Sequence, residues 1–362
     1  MDSTMRPLIS LLLLFVLTAC QLPTTTPPAP KPTSATLPTA TNEPSPSATN
    51  TTVPDPTAIS SPPNPYDPRV ESVTLDSAVL GIEKSFYIYL PPSDDSTTET
   101  RFPVLYLFRG HEKEWVNPRE DASRQGETVI DVYEELLAAG EIGPMILVFP
   151  GISSDDNSVP GMLVNMEAPD STESGIGTGE FEDYFIQELI PYVDATYPTT
   201  ADPSQRGVDG FSLGGFMATK IATQHPDMFG TVGAFDGLYF YTTPDCQLDD
   251  PRDNTFDISL FNQTFGSPRD VELATANSAP SLICAADPAA LQSLEWFIQY
   301  GPESAEPNDA NFYRGEHLLE QLSLKGVANT FDDPILMGGH RWSVADEHLR
   351  QTLPLHWQAL SD

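Results

Sequence analysis

The chain has 362 residues and a formal net charge of -35, from 17 basic against 52 acidic side chains, with 36 prolines and three cysteines. A field of that sign repels nucleic acid and anionic lipid headgroups, so binding to either through a basic surface is excluded. Three cysteines are too few for a disulfide-framed mini-protein, and the length leaves room for a large single α/β domain.

The N-terminus opens with one basic residue, Arg6, and an apolar run from Leu8 to Ala19. A bilayer-spanning helix needs roughly 20 apolar residues, so a run of about a dozen reads as a secretory signal. It ends in Leu17-Thr18-Ala19-Cys20, which resembles the lipobox of bacterial lipoproteins. Residues 1–19 are therefore expected to be removed, Cys20 to be acylated, and the mature protein to be held on the outer face of a bacterial membrane. Residues 20–68 are almost wholly Pro, Thr, Ser, Ala and Asn. They have too little apolar surface to offset their ordering entropy, and read as an extended tether that reaches on the order of 150 Å at ~3.1 Å per residue. One domain, residues 69–362, follows.

Within it, strand and helix signals alternate. Ser85–Leu90 reads as a half-buried edge strand, Val104–Phe108 and Met145–Phe149 as strands covered on both faces, and Thr128–Ala139 as an amphipathic helix stopped by Gly140. Phe181–Tyr197 has helical spacing; Arg206–Phe211 is a strand and Phe216–Gln224 a helix. Thr231–Phe235 and Trp296–Tyr300 are further strands, and Leu318–Leu324 and Val344–Leu360 further helices. The alternation predicts an α/β fold, a mostly parallel central sheet with helices on both faces, whose active site lies at the carboxyl ends of the strands.

Between the fourth of these strands and its helix lies GFSLGG, Gly210–Gly215. Gly-x-Ser-x-Gly after a strand and before a helix is the setting of a nucleophile elbow, which makes Ser212 a candidate nucleophile and the Leu213 N–H a candidate oxyanion donor. A serine hydroxyl needs a base, and that base an orienting acid. Of the six histidines, His340 stands in MGGHRW just ahead of the last helix, where Gly338 and Gly339 permit close approach. His225, His317, His348 and His356 read as surface or core histidines, and His111 comes too early for the Ser, acid, His order of this fold. The loop after Trp296–Tyr300 offers Glu303, Glu306 and Asp309 as the acid.

YIYLPP, FPVLYLFRG, GPMILVFPG, FIQELIPYVDATYPT, RGVDGFSLGGFMATKIATQHPDMF and GGHRW follow one another in order. With them, residues from about 70 to 360 resemble the esterase D and feruloyl esterase-like family of α/β-hydrolases, to which the mycolyltransferase antigens and enterochelin esterases are related. The resemblance implies an α/β-hydrolase fold and a serine carboxylic-ester hydrolase, with short-chain or carbohydrate-linked acyl esters as substrates. It maps the nucleophile on Ser212, the base on His340 and the acid on Asp309, and it requires no metal or organic cofactor. It puts a second oxyanion donor in the loop after Val104–Phe108, on Gly110 or His111. The chain departs from the family pattern there, with Arg109 where relatives have His, and again at Asp209, a carboxylate that needs a partner and for which Arg109 is a candidate. An acyltransferase with the same triad and a silent surface-binding protein are the rival readings. In an exported domain Cys246 and Cys284 are expected to form a disulfide, with two buried free thiols as the alternative; the bridge would tie a long segment whose Tyr239-Phe240-Tyr241 either lines an acyl or sugar site or packs as core.

Overall fold

The computed structural model describes residues 64–92, 100–249, 258–307 and 309–361. The signal, Cys20 and all but the last few residues of the tether lie outside them. Among the described residues a seven-stranded sheet runs in the order β1-β2-β4-β3-β5-β6-β7. Its strands are β1 (Val70–Ser77), β2 (Ile82–Tyr89), β3 (Val104–Phe108), β4 (Ile146–Pro150), β5 (Arg206–Gly210), β6 (Thr231–Phe235) and β7 (Glu295–Gln299). The first two pair antiparallel, β2 pairs antiparallel with β4, and the rest are parallel. This is the expected mostly parallel sheet.

The helices pack on both faces. The C-terminal helix, Trp342–Leu360, and the helix Val129–Ala139 bury Leu349, Leu353, Val132 and Tyr133 in a cluster with Leu105, Leu107, Leu147 and Phe149. The elbow helix, Leu213–Gln224, joins the other cluster, where Phe216 and Met217 meet Tyr106, Val148 and Val208. Strand alternation explains the division, since Leu105 and Leu107 face one side while Val104, Tyr106 and Phe108 face the other. The expected helix at Phe181–Tyr197 forms with a wide π turn over Tyr184–Leu189, ahead of Pro191, whose nitrogen has no hydrogen to donate.

Between β6 and β7 the chain forms short helices, including Val271–Ala276 and Ala279–Ala285, and Cys246 and Cys284 are bridged there. Tyr239 and Phe240 are buried, and Phe240 makes edge contacts with Phe216, Phe261 and Phe265, so these two aromatics are core.

Candidate active site

The carboxyl ends of β3, β5, β6 and β7 meet at Ser212. The elbow is sharp: Ser212 has φ 60 and ψ -115, a backbone that a non-glycine residue adopts only when its surroundings enforce it. They do so through hydrogen bonds from Ser212 N–H to Phe235 O at 3.0 Å, from Leu238 N–H to Ser212 O at 3.2 Å and from Gly214 N–H to Phe211 O at 2.7 Å. The two glycines of the motif are needed because the turn is crowded. A Cβ on Gly210 would strike the Gly214 backbone, and one on Gly214 would strike Phe108 O at the end of β3. The second contact also seats the elbow against the Arg109–Gly110 loop. Leu213 opens the elbow helix, so its N–H has no acceptor within the helix.

His340 follows Gly338 (φ 130) and Gly339 (φ 76), both in the left-handed half of backbone space. The close approach they allow is to Asp309, since a Cβ on Gly339 would lie 2.6 Å from Asp309 O, and His340 N–H donates to that same oxygen at 2.9 Å. The imidazole is held elsewhere. His340 Nδ1 lies 2.5 Å from Asp236 Oδ2, with Asp236 fully buried and the His340 side chain 30% exposed. A carboxylate only accepts, so Nδ1 carries a proton, and in the neutral imidazole Nε2 is the nitrogen with the lone pair. The Phe211 ring packs 4.6 Å from the imidazole. Among the described residues no hydrogen bond joins Ser212 Oγ to His340, a separation that catalytic pairs often close only around substrate.

The orienting acid is therefore Asp236 and not Asp309, a correction to the sequence reading. Asp309 is 43% exposed and its Oδ2 bonds Arg341 at 3.1 Å. Glu303 and Glu306 bond Tyr313, through its hydroxyl and its backbone N–H respectively. Asp236 takes a left-handed backbone at the end of β6 (φ 48), fixed by its own N–H on Gln299 O at 2.9 Å. Its Oδ1 accepts from Gly301 N–H at 3.0 Å and Asn311 N–H at 2.9 Å, and Asn311 Nδ2 donates to its carbonyl at 2.9 Å. Its signal in the sequence was its place, directly after the strand Thr231–Phe235 at a carboxyl end.

Of the two expected donors after β3, His111 N–H is taken. It donates to Glu114 Oε2 at 2.7 Å, while Glu114 N–H returns to His111 O at 3.2 Å, which closes a local turn. Gly110 N–H makes no hydrogen bond to a described residue and remains the candidate donor. Arg109 does not meet Asp209. Its guanidinium lies over the rings of Phe211 and Trp342, 5.2 and 5.8 Å away. Asp209 points to the face covered by the C-terminal helix, fully buried, where it accepts from His348 Nε2, His356 Nε2 and Thr352 Oγ1, each at 3.1 Å, and from its neighbour Gly210 N–H at 2.6 Å. Gly233 on β6 leaves the space for this carboxylate. Among the described residues no group of His, Cys, Asp and Glu is arranged to hold a metal ion.

The chain matches the profile of the Esterase family over residues 77–281, more than half its length. It belongs to the Esterase family. It is 30% identical over 172 residues to an endo-1,4-beta-xylanase/feruloyl esterase of Xylanibacter ruminicola, a match covering 46% of this chain and 21% of that one. It is 29% identical over 175 residues to an esterase of Mycobacterium tuberculosis, covering 48% of this chain and 33% of the relative. The chain thus spans well under two thirds of these relatives. Among solved structures a ferulic acid esterase aligns with TM-score 0.59 and 25% identity over 80% of this chain and 98% of its own. An S-formylglutathione hydrolase from Agrobacterium tumefaciens aligns with TM-score 0.55 and 19% identity over 80% and 95%, which shows the same α/β-hydrolase fold.

Proposed function

We propose that this member of the Esterase family is a serine carboxylic-ester hydrolase working through Ser212, His340 and Asp236. The observation that carries the reading is the strained Ser212 at the strand–helix turn, facing an end of the sheet where a buried carboxylate holds Nδ1 of a histidine. His340 Nε2 takes the Ser212 proton as Oγ attacks the ester carbonyl, and Asp236 stabilises the imidazolium. Leu213 N–H and Gly110 N–H receive the oxyanion. The protonated His340 then gives its proton to the leaving alcohol, and water, activated by the same histidine, releases the acid from the acyl-enzyme. None of these steps calls on a metal or an organic cofactor.

The substrates we propose are short-chain or carbohydrate-linked acyl esters, supported by the feruloyl esterase and ferulic acid esterase among the proteins it resembles. The place of action we propose is outside the cell, on a membrane face, through acylated Cys20. The lipobox-like Leu17-Thr18-Ala19-Cys20 supports this, and so does the Cys246–Cys284 bridge, a bond at home in oxidising compartments.

The test is hydrolysis of nitrophenyl acetate by the protein and by Ser212→Ala. Removing a catalytic serine costs about a millionfold in turnover, so equal rates would remove Ser212 from the mechanism.

A further inference from the structure

Arg109 stands beside the elbow that carries Ser212. It directly follows β3, at the carboxyl edge of the sheet, and precedes Gly110, the remaining candidate for the second oxyanion donor. Its guanidinium is stacked over Phe211, the residue before Ser212, and over Trp342; the Phe211 ring also touches His340. These contacts fix the plane of the group and satisfy none of its N–H donors. Arg109 makes no hydrogen bond to a described residue, its Nε is buried without an acceptor, and its side chain is 19% exposed. The nearest carboxylate, Glu114, stands 3.7 Å from Nε with one oxygen already committed to His111 N–H. A guanidinium always carries its charge and presents five donors in a planar fork that suits a carboxylate. A buried Nε without a hydrogen-bond acceptor, in a guanidinium held only by a long ion pair to Glu114, is costly, so the arrangement suits a site in which a closer acceptor arrives with the ligand.

We infer that Arg109 is a specificity-determining residue that binds a carboxylate carried by the ester substrate, close to the scissile carbonyl. This rests on the Ser212 esterase reading. The rest of the rim does not favour anions: Asp309 and Glu303 are acidic, and Arg341 is paired with Asp309. Among the described residues Arg341 is hydrogen-bonded to its carboxylate, whereas Arg109 has only the longer ion pair to Glu114 and keeps its donors for such a group. The carboxylate belongs either to the acyl part, as in a dicarboxylic half-ester, or to the alcohol part, as in an ester of a hydroxy acid.

Two substrate pairs separate these sources: nitrophenyl hemisuccinate against nitrophenyl butyrate, and acetoxybenzoate against acetoxybenzamide. In one pair the charged member should have the higher kcat/KM, and Arg109→Gln should lower the charged-to-neutral ratio about tenfold to a hundredfold, as expected for losing a hydrogen-bonded ion pair. Arg109→Lys keeps the charge and loses the fork, so its ratio should fall between the two. A ratio unchanged by Arg109→Gln in both pairs, or an equal loss on charged and neutral members, would overturn the inference. Calorimetric titration of Ser212→Ala with nitrophenyl hemisuccinate and acetoxybenzoate reads the same contact without turnover. Binding that Arg109→Gln weakens upholds the Arg109 site even where no hydrolysis occurs, and binding that it leaves unchanged in both overturns it.

Discussion

Asp236 shows what a single side chain must satisfy to orient a histidine. It is buried, so the charge is not screened; its second oxygen is occupied by Gly301 and Asn311 N–H groups, so the carboxylate cannot rotate away; and its strained backbone is pinned to Gln299. Asp236→Asn keeps the shape but offers a donor where His340 Nδ1 needs an acceptor, and should lower kcat by about ten-thousandfold, as the loss of a triad acid does. Asp309→Asn removes only a surface pair with Arg341 and should leave kcat within a few-fold, since exposed pairs of this kind contribute ~1 kcal/mol or less. Steady-state rates on nitrophenyl acetate check both, and the reverse ranking would return the role to Asp309. Ser212 and His340 were legible in the sequence because each is marked locally, by Gly210 and Gly214 or by Gly338 and Gly339, glycines that crowded or left-handed turns require. The acid carries no local mark. Which carboxylate reaches His340 depends on how the loop after β7 folds over the end of β6, and that is a tertiary fact.

At the level of elements, the sequence gives away what is periodic and conceals what is compensated. Val104–Phe108 and Thr231–Phe235 coincide with β3 and β6 because both are short apolar runs buried on both faces. β1, with Glu71, Thr74 and Asp76 exposed at irregular spacing, and the short helices between β6 and β7 left no such signal. Asp209 is the compensated case, a charge inside an otherwise apolar strand whose partners come from the far end of the chain. Burial alone would raise its pKa, but the attraction of His348 and hydrogen bonds from His348 and His356 outweigh it and hold the carboxyl well below its usual range. Burial also pushes the His356 imidazole below its ordinary value, against the hydrogen bond to Asp209. Both are depressions, so the folded protein takes up these protons less readily than the unfolded chain, and the stability they contribute is complete above the unfolded pKa values and lost as pH falls. The loss should begin below about pH 6.5 through His356 and deepen below about pH 3.9 through Asp209. Melting temperatures measured from pH 8 to 3 should fall along this course. Asp209→Asn should melt lower at pH 7 and show a shallower acid decline, whereas a wild-type melting temperature flat from pH 7 to 4 would contradict the account.

The whole molecule carries a charge of -35 on 362 residues, and its compact part must hold together against that repulsion. The Cys246–Cys284 bridge helps by closing a loop over a part of the chain built from short helices, joining residues 38 positions apart. Replacing both cysteines by serine should cost roughly 2–4 kcal/mol in urea unfolding, with the cost coming mainly from a freer unfolded chain. An unchanged midpoint would show that the segment needs no tie.

The mount of Asp209 also limits how this protein can move. The carboxylate sits one residue before Gly210 on the strand that delivers Ser212, and its two histidines belong to the helix that starts just beyond His340. Swinging that helix away from the strand would strip an anion of its donors inside the protein, so Ser212 and His340 are carried on what amounts to one rigid bracket. On the proposed ester hydrolysis, room for a substrate would then have to come from the turn after β3 and the disulfide-tied segment between β6 and β7, with Ser212 and His340 held in place.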